Sequence, residues 1–115
     1  MASTIYCLSL IIFMEASIEN NLTRSLVAST AIERAKKEGL GICESMKKPK
    51  SYSWLWDGKR TEVKSKWLEK TYYPIAKKEL KKQTMVGRVY FSECKLGKRF
   101  PTPNKLIKSG HLCFY

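Results

Sequence analysis

Histidine is almost missing from this chain of 115 residues; the single copy is His111. The four cysteines, Cys7, Cys43, Cys94 and Cys113, form no C-x-x-C pair. Together these scarcities argue against a zinc site, which needs several closely spaced Cys or His ligands. Four Cys would permit two disulfides, but their spacing demands none. Cys7 and Cys113 sit in apolar runs and read as small core hydrophobes. There is no G-x-S-x-G, no phosphate-binding loop, no H-E-x-x-H and no G-x-G-x-x-G, so the common nucleophile, nucleotide and metalloprotease signatures are excluded. Acidic residues are scarce as well, 10 against 22 Lys and Arg. Long apolar runs are lacking. The longest, Ile5 to Met14, is too short to span a bilayer. It also lacks a basic leader and a small-x-small cleavage site, so it is expected to be a core helix and not an export signal. No repeat, low-complexity linker or composition break divides the chain, which is expected to form one domain over residues 1–115.

What the chain does have is unevenly distributed. Residues 1–46 carry 4 Lys or Arg against 5 Asp or Glu, a net of −1; residues 47–115 carry 18 against 5, a net of +13. A field of that sign attracts polyanions, whether nucleic acid, an anionic membrane or the anionic polymers of a bacterial wall. Hydrophobic residues make up 43% of the sequence, so a folded core is expected.

Local patterns predict a mainly helical α+β domain. Ser3 or Thr4 caps a first helix to about Met14, apolar nearly all round as a central helix would be. A polar turn covers 17–21. Thr23 is expected to cap a second helix to about Lys37, with Leu22, Leu26, Val27, Thr30, Ala31 and Arg34 on one face and Gly39 and Gly41 as its stop. Residues 46–58 turn from basic to aromatic and end in the Asp57-Gly58 turn signal. A further helix is predicted over 67–82, with Pro74 opening its second part or kinking it. Val89-Tyr90-Phe91 and Leu112 to Tyr115 read as short strands that pair antiparallel across a Pro101/Pro103 loop.

One carboxylate stands out chemically. Glu15 follows an almost wholly apolar helix, and burial favours the neutral form of a carboxyl. A carboxylic acid kept protonated near neutral pH can protonate a glycosidic oxygen. The plainer reading is a helix-terminal Glu facing water. Two-carboxylate glycosidases need a partner acid; Glu19 and Asp57 are the nearest candidates, and neither is evidently a nucleophile. One-acid chemistry fits better, with Glu15 first donating and then accepting a proton. The aromatic stretch Tyr52-Ser53-Trp54-Leu55-Trp56 between basic residues can stack on sugar rings or bases, or can send alternate rings into the core.

Taken in order, these segments resemble the SleB-like cell-wall hydrolases, the spore-cortex-lytic enzymes and related phage lysins. Leu8 to Glu19 is similar to their "L-A-x-x-I-Y-x-E-A-R-G-E" opening, and Leu26 to Arg34 to their "Q-x-A-V-A-x-V-x-x-N-R" helix. Tyr52 to Gly58 resembles "F-S-W-x-x-D-G", Gly87 to Phe91 "G-A-x-Y-F", and Ile107 to Tyr115 the closing "I-G-x-H-x-F-Y". The family Arg-Gly is Ser17-Ile18 here, its Asn before the helix-ending Arg is Glu33, and the closing motif needs a small shift of register.

The resemblance implies a compact lysozyme-like fold. It also implies lytic transglycosylase cleavage between N-acetylmuramic acid and N-acetylglucosamine, without metal or cofactor. Glu15 matches the family's catalytic acid. Glu19, Tyr52, Ser53, Trp54, Tyr90 and His111 match positions expected to line the substrate cleft. The implied partners are peptidoglycan glycan strands, with the basic half holding anionic wall polymers and no specific nucleic acid. A monomeric phage endolysin is the leading expectation, held in the host cytoplasm until release and acting in the periplasm or wall. The competing classes are a nucleic-acid-binding module without activity and a catalytically dead wall-binding relative.

Overall fold

A computed structural model describes residues 3–48, 52, 65–94 and 106–115. The chain runs α1 (Thr4–Ala16), α2 (Asn21–Glu38), α3 (Ile42–Lys47), α4 (Ser65–Thr71) and α5 (Tyr73–Lys81), then β1 (Phe91–Glu93), β2 (Ile107–Ser109) and β3 (Leu112–Phe114). The class is α+β, with the helices first and a small antiparallel sheet near the C-terminus.

α1 is the centre of the helical layer and packs against α2, α3, α4 and α5. Ser3 caps it, its hydroxyl accepting from the Tyr6 N–H at 3.1 Å. Leu8, Leu10, Ile11 and Ile12 are all buried, and each contributes about 1.5–3 kcal/mol by leaving water. The helix extends past Met14 to Ala16, so Glu15 lies in its last turn. α2 presents Val27, Ala28, Ser29 and Ala31 to the core; these small side chains let neighbouring helices come close. Its cap is Asn20 and not Thr23: the Asn20 side chain accepts from the Thr23 N–H at 2.9 Å. Gly39 stops α2 at φ 68°, where its N–H reaches the carbonyls of Ala35 and Lys36. Gly41 does not extend that stop; it is the N-cap of α3, a short helix that the local pattern does not predict.

The helix predicted over 67–82 is two helices. They break at Tyr72, and Pro74 falls in the first turn of the second, where its missing N–H costs nothing. α5 buries Glu79, which is 1% exposed. That carboxylate accepts from Ser29 Oγ (2.5 Å), the Thr84 N–H (2.8 Å) and Thr84 Oγ1 (2.5 Å). Ser29 Oγ in turn accepts from the Met85 N–H at 3.2 Å. α2, α5 and the chain leaving α5 are thereby joined in one buried network.

In the sheet the order is β1-β3-β2. The expected antiparallel pairing is present, with Phe91 opposite Phe114, but the strand runs Phe91–Glu93 and not Val89–Phe91; Val89 and Tyr90 precede it and bond to the Tyr115 backbone. A third strand, β2, adds a hairpin with Ile107 also opposite Phe114. β3 is central and fully buried. The Pro101/Pro103 loop lies outside the described residues.

All four cysteines are bonded, as Cys7–Cys43 and Cys94–Cys113. Cys7 and Cys113 are as buried as their apolar runs required, but they are not free thiols. Folding brings each to within bonding range of a partner, with Cα atoms 5.4 Å and 5.3 Å apart. The first bond ties α1 to α3, and the second ties the end of β1 to β3.

Candidate functional site

Glu15 is half-buried near the C-terminal end of α1. Backbone carbonyls concentrate negative charge there, and no basic residue occupies that turn. Arg24 of α2 supplies the positive charge instead, donating to the Ala16 carbonyl at 3.2 Å and the Ser17 carbonyl at 2.7 Å, just beyond Glu15.

Tyr52 lies within electrostatic reach of it. Its side chain is 3% exposed, and its phenol is pushed up to about 12. Burial is the main cause; the Arg34 guanidinium pulls the other way, and the carboxylates of Glu15 and Glu38 push further up. The phenol therefore stays neutral through the physiological range and keeps its O–H as a donor.

Arg34 joins the site together. It is 8% exposed, and its Nε donates to the Val89 carbonyl at 2.9 Å. Its guanidinium carbon lies 4.9 Å from the ring centre of Tyr52, 5.2 Å from that of Tyr90 and 5.8 Å from that of Phe91. A cation among aromatic faces is held by their quadrupoles and spreads their planes into a wall. Tyr90 is 45% exposed and keeps part of its ring accessible to a ligand. Lys37 stands over the same ring at 5.7 Å. Glu38 lies within electrostatic reach of both Arg34 and Tyr52. Burial acts to raise its pKa, but the Ser45 hydroxyl, Lys48 and the Arg34 charge together hold it below the usual carboxylate range.

Tyr52 and Tyr90, which belong to separate sequence segments, thus share the Arg34 guanidinium, and Glu15 acts on Tyr52 through its charge. The sequence pattern places Arg34 only on the buried face of α2 and gives it no role. The available signal was a charged residue at the end of an otherwise apolar helical stripe.

Glu19 and His111 form a different arrangement. The Glu19 side chain is 5% exposed, and Oε1 accepts from both the His111 N–H and His111 Nδ1 at 2.9 Å. Burial would raise the Glu19 pKa, but the His111 backbone bond, ring bond and charge outweigh it and hold the group below its ordinary value. Its carboxylate is committed to the β2–β3 turn. Thr23 and Ser109 strengthen the same junction through hydroxyls 2.7 Å apart. The His111 side chain is 72% exposed and borders a hollow of about 300 Å³ with Cys94, Lys108 and Gly110. Ser53, Trp54 and Asp57 lie outside the described residues.

Among the described residues no three His, Cys, Asp or Glu side chains cluster as a metal site would require. No helix among them is long and apolar enough to cross a membrane. The groups brought near one another are a carboxyl (Glu15), a neutral hydroxyl (Tyr52), a fixed cation (Arg34) and an accessible aromatic ring (Tyr90). No family model, curated protein or solved structure matches the chain.

Proposed function

We propose that this chain cleaves the β-1,4 bond between N-acetylmuramic acid and N-acetylglucosamine in peptidoglycan, as a lytic transglycosylase of the lysozyme-like kind. The supporting observations are the charge of Glu15 acting on the buried Tyr52 phenol and the Arg34 guanidinium set against the rings of Tyr52 and Tyr90. In this reading Tyr90 stacks on a sugar ring, and Glu15 protonates the glycosidic oxygen. The departing sugar leaves positive character at the anomeric carbon. Glu15, now a carboxylate, takes the proton of the muramic C6 hydroxyl, whose oxygen closes on that carbon. Both partners belong to one molecule, and effective molarities for such attack reach roughly 10⁵ M or more. Glu19, engaged by His111, acts as a brace for the site and not as a second catalytic acid. The basic half of the chain holds the enzyme to anionic wall polymers.

Two disulfides favour a chain that completes folding in an oxidising compartment, which suits an enzyme working outside the cytoplasm. The test is digestion of purified peptidoglycan followed by mass spectrometry. Muropeptides with 1,6-anhydro ends that resist borohydride are expected. Glu15→Gln, nearly isosteric, is expected to keep the fold and lose activity by at least about a hundredfold. Reducible muramic ends would make water the nucleophile; reducible glucosamine ends, or cleaved stem peptides with intact glycan, would overturn the assignment of the bond.

A further inference from the structure

Helix α5 has two unlike sides. Ala76 and Glu79 are buried, whereas Lys77, Lys78, Lys81 and, just beyond the helix, Lys82 are exposed. Lys77 and Lys81, and likewise Lys78 and Lys82, are four residues apart, about 6 Å along a helix axis. Like charges at that spacing repel. Glu79 is the nearest acid in sequence, but its oxygens are taken by Ser29 and Thr84. No carboxylate among the described residues pairs with any of the four lysines. These lysines line a groove of about 790 Å³ that runs from Pro74 to Thr84. One wall is fixed by Gln83, whose amide is bonded to Lys36 at 2.6 Å and to Glu33 at 2.8 Å.

The lining identifies the anion by what it offers. All four charges are ammonium groups, which bind phosphates as point charges; the planar fork that suits bidentate recognition is absent from the described lining. That described lining includes no aromatic ring, so none of its residues offers bases a stacking platform. Of the neutral side chains in the described lining that could read a base edge, the Gln83 amide is engaged by Lys36 and Glu33, and the Thr84 hydroxyl by Glu79.

We propose that the α5 groove binds a linear phosphodiester polymer without bases, of the poly(glycerol phosphate) kind carried by bacterial walls. The choice of a wall polymer rests on the peptidoglycan reading above. The groove lining includes none of Glu15, Tyr52 or Tyr90, so it acts as a tether apart from the reaction.

The experiment measures binding of a fluorescent poly(glycerol phosphate) oligomer to the full chain by anisotropy as salt is raised. Comparison probes are a single-stranded oligonucleotide and a polyglutamate of equal charge. The groove variant carries Lys77→Gln, Lys78→Gln, Lys81→Gln and Lys82→Gln. A control variant with the same charge change carries Lys47→Gln, Lys66→Gln, Lys70→Gln and Lys108→Gln. Circular dichroism checks both folds, and Lys→Arg at the four groove positions retains the charge should the Gln variant unfold.

The expected result is at least tenfold weaker binding at low salt for the groove variant and a change within about threefold for the control. The salt slope of the groove variant should flatten by roughly 2 to 3, near 0.7 for each phosphate that is no longer neutralised. The Arg variant should bind within a few-fold of the wild type, and the wild type should bind the oligomer more tightly than either comparison probe. Equal losses in the two Gln variants, or tighter binding of the oligonucleotide or the polyglutamate, would overturn the proposal. None of these readings needs glycan cleavage: failure to digest bare peptidoglycan removes the enzymatic reading alone, and digestion without oligomer binding removes this one alone.

Discussion

Gly110 carries two constraints at once. Its φ of 59° is left-handed, and a Cβ built on it would meet Glu19 Oε2 at 2.5 Å. Gly39 has a similar φ of 68° with nothing near a would-be Cβ. Gly39→Ala should therefore cost only the backbone strain, about 1 kcal/mol. Gly110→Ala should cost more, about 2–3 kcal/mol, because the carboxylate must also move. Chemical denaturation of the two variants checks the order; equal losses would mean that Glu19 shifts freely. The ionised form of Glu19 itself adds stability. Its pKa in the folded chain lies below the ordinary 4.5, so this contribution is full above about pH 4.5 and disappears as pH falls through the lowered value. Glu19→Gln should consequently lie below the wild type in stability near neutrality, and the gap should close on acidification. A gap independent of pH would show that shape and not charge matters at this position.

Among the helices, α5 depends most on one buried group. Glu79→Ala removes the acceptor for the Thr84 N–H, the Thr84 hydroxyl and Ser29 Oγ. The buried Ser29 hydroxyl left without an acceptor costs about 1–3 kcal/mol, and the lost part-buried bonds of the exposed Thr84, whose donors turn to water, cost about 1 kcal/mol more. A net loss of about 3 kcal/mol is expected by thermal melting, with faster amide exchange at Thr84 and Met85. Local legibility differs along the chain for a physical reason. α1, α2 and the break at Pro74 follow from capping groups, apolar periodicity and proline, which act within a few residues. α3 is only six residues long, and an isolated helix of that length is unstable in water. It exists because Ile42 and Met46 enter the core and Cys43 is bonded to Cys7, neither of which local pattern reveals. β2, at three residues, depends in the same way on β3 beside it.

For the molecule as a whole, the two disulfides fasten each end of the fold. They join residues separated by 36 and 19 positions, for which loop-closure entropy suggests roughly 3–4 kcal/mol each. Reduction should lower the melting temperature by on the order of 10 °C or more per bond. Cys7→Ser/Cys43→Ser and Cys94→Ser/Cys113→Ser, melted with and without reductant, assign the share of each. A melting temperature unaffected by reductant in the wild type would show that the bonds add nothing to the native state.

Residue type and short-range spacing were enough for the mainly helical α+β class, the central apolar helix, the charge asymmetry, strands around Phe91 and Phe114, and the singling out of Glu15 and of the aromatic stretch at Tyr52; Tyr90 was nominated by the family resemblance alone. Residue type and spacing act on the chain before it folds. That Arg34 meets both Tyr52 and Tyr90 is a matter of packing, because its bond to Val89 spans 55 positions. Packing likewise commits Glu19 to His111, 92 positions away, and selects which cysteine meets which. Contacts that distant are fixed by how α1, α2 and the sheet come together, and many arrangements of those elements share the same local pattern.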